Sequence, residues 1–293
     1  MDNGHTACKL DPFLEMTQYH TMYQDGFISE EGEQLGYDIV AAVREVVGPK
    51  IEILIDAHGH YNVPNAVRIS NNLYERFNIA WFEEPVPPEG INALKQVKQN
   101  TNAPICVGER LYTRADFIPI LENNLADFIM PDTVWTGGIS EIKKIATMAE
   151  AYYIPIAPHV IPGGPIELIS AAHVVTSVPN FYKLEHSHTF IPEHNNLLVE
   201  PYKIEDGHIH LNNKPGLGFE LDEEKTESVL DMAAKLEGQS NDNIQFTKII
   251  KERIAYEERF SVLKDCWLLV MADGSRTYEE DGFMRLFCSL RIR

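Results

Sequence analysis

Short apolar runs and longer amphipathic stretches alternate along the chain from residue 6 to about residue 185. The runs at residues 6–10, 51–55, 80–82, 105–107, 128–130, 154–157 and 182–184 have strand length and are rich in Ile, Val, Leu and Phe. Between them, residues 30–47, 64–77, 91–99, 114–123, 140–152 and 166–177 repeat apolar positions at helical spacing. Thr113 stands where a helix beginning at Arg114 needs its cap, and Gly138 closes the turn ahead of Ile139. This order predicts the βαβα pattern of a parallel sheet or barrel. Residues 12–29 form a long loop rich in Tyr and His, placed to lie over a mouth as a lid.

The residue that closes each apolar run carries the chemistry. Asp56 ends IEILID, Glu83 ends AWFE, Glu109 ends ICVGE, Asp132 ends FIMPD, His159 ends IPIAPH and Glu185 ends YKLE. Successive members are 27, 26, 23, 27 and 26 residues apart, about the length of one βα unit. In a (β/α)8 barrel the C-terminal strand ends share one mouth, so six ionisable groups should meet there. Three consecutive strands end in Asp56, Glu83 and Glu109, and oxygen-only ligands suit a hard cation, Mg2+ first and Mn2+ second. One βα unit separates Asp132 from His159, which allows a carboxylate to orient an imidazole and strengthen it as a base. His58 follows Asp56 by two residues, so in an extended segment both side chains share a side. His60 and Tyr61 are nearby alternatives.

Residues 186–221 read differently: VEPYKIEDGHIHL predicts a hairpin turning at Asp206–Gly207, and KPGLG a terminating loop, the whole packing on the barrel. From about residue 222 helical patterns return at 228–236 and 244–262, followed by the short run 267–278, and no chemistry is assigned to them.

Composition narrows the partners. Hydrophobic residues make up 44% of the chain, enough for a packed core. A formal charge of −19, without a clustered basic stripe, disfavours nucleic acid and favours small substrates or cations. No apolar stretch approaches the roughly 20 residues of a membrane span, so no membrane contact is expected. The opening MDNGHTACKL has neither a basic n-region nor an apolar h-region, so no secretory signal is expected, and Cys8, Cys106, Cys266 and Cys288 form no CxxC pair. Both observations point to a cytoplasmic protein without structural zinc or a disulfide framework.

The stretches IDAHGHY, WFEEPV, VGER, MPDTVWTGGISE, APHV, YKLEH and PGLGFE, in this order and spacing, resemble the enolase superfamily, in particular the galactonate dehydratase type within its mandelate racemase-like branch. The resemblance spans roughly residues 4–222. It implies that Asp56, Glu83 and Glu109 hold Mg2+, that His159 is the base with Asp132 as its partner, and that Glu185 faces the substrate carboxylate. It also implies that His58 delivers a proton to the departing hydroxyl, so that an aldonate loses water to give a 2-keto-3-deoxy acid. Racemases of the branch carry Lys-x-Lys at the second barrel strand; here the residues are Lys9-Leu10-Asp11. An Asp at the second position disfavours two-base racemisation, while Lys9 and Asp11 stay candidate substrate contacts, Lys9 equally a partner for a neighbouring acid. Set against the family pattern, these residues are expected to start at the second strand, with the capping domain and first strand not among them. The expected fold is therefore an incomplete (β/α)8 TIM-type barrel over residues 1–222 with a C-terminal helical extension over 223–293. Its exposed strand edges make a homo-oligomer possible. A racemase or epimerase, and a silent barrel that binds metal or partner subunits, are the alternatives to the dehydratase.

Overall fold

The computed structural model describes residues 3–13, 26–160 and 163–239. The chain divides into two compact units, Met1–Asp222 and Glu223–Arg293. Most of the expected lid, the patterns at 244–262 and 267–278, and Cys266 and Cys288 lie outside the described residues.

In the first unit, β1 (Ala7–Leu10), β2 (Glu52–Asp56), β3 (Trp81–Glu83), β4 (Ile105–Val107) and β5 (Phe128–Ile129) pair in parallel in the order of the chain. The connections run through α1 (Glu30–Val47), α2 (Val63–Phe77), α3 (Ile91–Asn100) and α4 (Arg114–Glu122), and α5 (Ile139–Ala151) and α6 (Pro165–Val175) follow. The curved array is a partial barrel.

Local signals explain where the helices begin and end. The Ser29 hydroxyl accepts from Gly32 N, and the Asn62 side chain accepts from Asn65 N ahead of Pro64. Asn78 closes α2 in the left-handed conformation. The Thr113 hydroxyl accepts from Ala115 N at 3.4 Å, a weak cap at the expected place.

The two runs expected as the last strands are reduced to single bridges, Ile129 with Ile156 and Ile156 with Phe181. Prolines explain this. Pro155 and Pro158 flank Ile156 and Ala157 and bring no N–H to a ladder, so few ladder bonds survive, among them Ala157 N to Ile129 O and Tyr182 N to Ile156 O. Side chains link the last position to β1 and β2. Lys183 Nζ reaches Thr6 Oγ1 at 3.3 Å, Tyr182 donates to Glu52 Oε2 at 2.5 Å, and the His5 and His186 rings lie 5.0 Å apart.

Alternation along each strand separates two cores. Ile53, Ile55, Phe82, Ile105, Val107 and Ile129 face the helix layer. Leu54, Trp81, Cys106, Met130 and Ala157 fill the lumen together with Phe128 and Tyr182. A third cluster carries residues 186–221 against the barrel: Leu198, Tyr202, Ile204 and Ile209 pack with Val160, Leu168 and Ile169. Within that segment a short 3-10 turn (His188–Phe190) and α7 (Ile191–Asn196) lead to the hairpin β6 (Ile204–Glu205) and β7 (His208–Ile209). Its turn residues Asp206 and Gly207 have φ of 50° and 74°, the two positive angles that a tight two-residue turn requires. In the second unit, α8 (Glu223–Gln239) covers the pattern expected at 228–236. None of the described helices is long and apolar enough to cross a membrane.

Candidate active site

The alternation that sends Leu54 and Trp81 into the lumen sends Asp56 and Glu83, two residues on, inward at the C-terminal strand ends. Glu109 lies three residues after Cys106, and Gly108 supplies the change of step. Its φ is +140°, and a β-carbon there would stand 3.0 Å from both Met130 N and Phe117 Cε1. Asp56, Glu83 and Glu109 are all buried, and each offers an oxygen within 4.8 Å of the others.

Lys9 reaches into this cluster from β1. Its Nζ lies 2.5 Å from Glu185 Oε1, 3.0 Å from Glu83 Oε1 and 3.7 Å from Asp56 Oδ2. Lys9 therefore pairs with acids of the site. Burial works against its charge, but Glu83, Glu185 and Asp56 prevail and hold the ammonium well above its ordinary range. Glu83, wholly buried, accepts from Trp81 Nε1 at 3.0 Å. Burial first, then the charge of Asp56, pushes its acid well up, with Lys9 opposing. One ammonium among four carboxylates leaves an excess of negative charge, and oxygen-only donors around it fit a hard cation.

An imidazole flanks each end of the triad. His58 Nε2 lies 3.2 Å from Asp56 Oδ2, and His58 Nδ1 lies 2.7 Å from Asp11 Oδ2. The segment is not extended as the two-residue spacing suggested: His58 has φ 45° in a tight turn, and its N–H donates to Asp56 Oδ1 at 2.9 Å. Burial lowers its pKa, but the hydrogen bond to Asp11 and the charges of Asp56, Asp11 and Glu109 overrule that and push it up to about 9. Asp11, whose carboxylate is shielded, also accepts from Phe13 N at 2.8 Å, so it orients His58. Beyond it, His60 is pulled down chiefly by burial.

At the other end His159 Nδ1 lies 2.9 Å from Asp132 Oδ2, while Nε2 points toward Glu109 Oε2 at 3.5 Å and Glu185 Oε2 at 3.8 Å. Asp132 Oδ1 accepts from Val134 N at 2.7 Å and Trp135 N at 2.8 Å, which locks the carboxylate. Burial raises the Asp132 pKa, but His159 and the Trp135 N–H outweigh it and hold the group ionised. His159 is lowered by burial and raised further by Asp132, Glu185 and Glu109, for a net rise. Glu185 Oε2 accepts from Val160 N at 3.1 Å.

Nine of the residues singled out in the sequence thus meet at one mouth, whereas Tyr61, one of the two alternatives beside His58, is buried in the core against Phe82. Two further groups escaped that reading. Glu84, beside Glu83, is buried and paired with Arg110. Burial and the charge of Glu109 push it up to about 7. Glu167, in the first turn of α6, stands against Asp132; burial, then the hydrogen bond with Asp132, pushes it up to about 8. A lone acid in the otherwise apolar PIELISAAHVV was the available signal.

Fold and site together define a parallel barrel with an acid triad at its strand ends and an Asp–His pair facing it. Residues 1–225 match the family model described as enolase C-terminal domain-like, and the chain belongs to that family. Residues 217–290 match a second model, tellurite resistance protein TerB. The chain is 37% identical over 191 residues to the D-xylonate dehydratase of Haloferax volcanii, covering 65% of this chain and 46% of that protein. It is 32% identical over 227 residues to the D-gluconate/D-galactonate dehydratase of Picrophilus torridus, covering 78% and 56%. Among solved structures, the mandelate racemase/muconate lactonizing enzyme-like protein of Rubrobacter xylanophilus superposes with a TM-score of 0.70 at 41% identity, covering 76% of this chain and 57% of that one. The chain spans about half the length of the curated relatives it matches.

Proposed function

We propose that the protein dehydrates an acid sugar, an aldonate, to a 2-keto-3-deoxy acid with Mg2+ held by Asp56, Glu83 and Glu109. The observation that carries this reading is the placement of two imidazoles at opposite ends of the acid triad, each with its own carboxylate partner. Removing a proton beside a carboxylate requires stabilisation of the charge that develops, which is the chemistry Mg2+ supplies when bound. His159 takes the C2 proton at Nε2; Asp132, fixed by two backbone N–H groups, holds Nδ1 protonated and stabilises the imidazolium that forms. His58, kept protonated by Asp11 and Asp56, gives its proton to the C3 hydroxyl as it leaves as water. Glu185, beside Lys9, faces the substrate carboxylate. The enol then tautomerises to the keto acid. The dehydratase names carried by relatives from two organisms support the same reading.

The test is a panel of aldonates incubated with the full chain and Mg2+ in deuterated water, assayed for 2-keto-3-deoxy acids. Product from at least one aldonate is expected. Exchange of the C2 proton without loss of water would point to racemase chemistry, and no product from any aldonate with Mg2+ bound would refute the proposal.

A further inference from the structure

α6 is apolar over nearly all its length, yet its first turn buries Glu167 with only 9% of its surface exposed. Its carboxyl fills space that only glycine leaves open. A β-carbon on Gly163 would stand 2.0 Å from Glu167 Oε2 and 2.3 Å from Val160 O. Glu167 Oε1 is buried without a hydrogen-bond partner. The charged groups that face Glu167 are Asp132, with which it shares a hydrogen bond, His159 and Glu185.

Two carboxyl groups set against each other and mostly buried favour sharing one proton over carrying two charges. Asp132 is the poorer holder, because its Oδ1 is occupied by the N–H groups of Val134 and Trp135 and its Oδ2 by His159. The proton therefore falls to Glu167. We infer that Glu167 is a positioning residue: as a neutral acid it donates a hydrogen bond to Asp132 and so holds the carboxylate that orients His159. The inference rests on the dehydratase reading for its catalytic consequence, and on the carboxyl pair alone for its physical content.

Both parts can be tested on the full chain saturated with Mg2+. With 13C-labelled glutamate carboxyls, the resonance missing from E167Q identifies Glu167. It should titrate near pH 8 in the wild type and fall toward the ordinary glutamate range in D132N, where the neighbouring charge is gone. Titration in the ordinary range in the wild type, or no change in D132N, overturns the inference whether or not any sugar is turned over. In turnover, E167Q keeps a donor and should stay within about threefold of wild-type kcat at neutral pH. It should also lose the fall in kcat above about pH 8 that the wild type shows as Glu167 ionises. E167L should lose tenfold or more in kcat with KM within about twofold. Equal losses in E167Q and E167L, or none in E167L, overturn the inference; if E167L does not fold, E167Q and D132N decide it. A wild type that dehydrates no aldonate would remove the dehydratase reading and leave the carboxyl titration to judge the pair.

Discussion

Adding Mg2+ should raise the melting point of the barrel unit, and by more at pH 8 than at pH 5. Without a cation, burial and the neighbouring carboxylates push the Glu83 acid well up against the pull of Lys9. The native chain then keeps a proton that the unfolded chain loses near pH 4.3. More protons on the native state means stability falls as pH rises from there toward the raised value. A divalent cation displaces that proton and meets the charge of Asp56 and Glu109 as well. At 100 times its dissociation constant it contributes about 2.7 kcal/mol. For a unit of this size each kcal/mol moves the midpoint by roughly 2–4 °C, so the expected rise at pH 8 is roughly 5–11 °C. Calorimetry resolves the barrel transition from any other, and matched ionic strength removes general screening. Glu109→Gln, which removes one of three oxygen donors at the mouth, should keep less than about a third of the rise. A rise below about 1 °C at pH 8, or an equal rise in that variant, would refute a cation held by these three carboxylates.

Three other perturbations follow from the same geometry. Asp132→Asn keeps an acceptor for Val134 N and Trp135 N but removes a unit charge near the imidazole, worth about 4 kcal/mol at an effective dielectric of 20, so kcat should fall about a thousandfold with little change in melting point; steady-state kinetics on the preferred aldonate checks this. His58 is protonated up to about pH 9 and gives up its proton above that, so kcat should decline further past pH 9, and a pH profile of His58→Gln should be low, lack that second decline and keep only the fall near pH 8 that Glu167 brings. Gly108→Ala puts a β-carbon 3.0 Å from Met130 N at a φ of +140°, which should cost roughly 1–3 kcal/mol and weaken the Mg2+ response, both read from the same melts.

The strand ends were legible because two simple periods coincide there. A repeat near 26 residues announces successive βα units, and a two-residue step links lumen-facing Leu54 and Trp81 to Asp56 and Glu83. Asp132, His159 and Glu185 followed from the first period alone. What stayed hidden depends on local geometry or on distant packing. The left-handed turn at His58 is not written in the spacing, although it brings the ring to Asp56 all the same. Asp11 stood out only as a substrate contact, and its pairing with His58, 47 residues away, is not visible in the spacing. Pro155 and Pro158 stood in plain view, and their missing N–H groups thin the last strands to bridges. Glu167 becomes meaningful only when α6 folds back over Asp132.

Among the described residues, the links between the last chain position of the barrel and β1 are side chains: Lys183 to Thr6, His5 against His186, and Lys9 to Glu185. Asp56, Glu83 and Glu109 stand instead at the ends of three strands joined by backbone hydrogen bonds. The mouth therefore has a stiff arc and a compliant arc. Breathing across the compliant arc would shift Glu185 against Lys9 and the triad, which share the backbone ladder, so the opening can widen or tighten without disturbing whatever the triad holds.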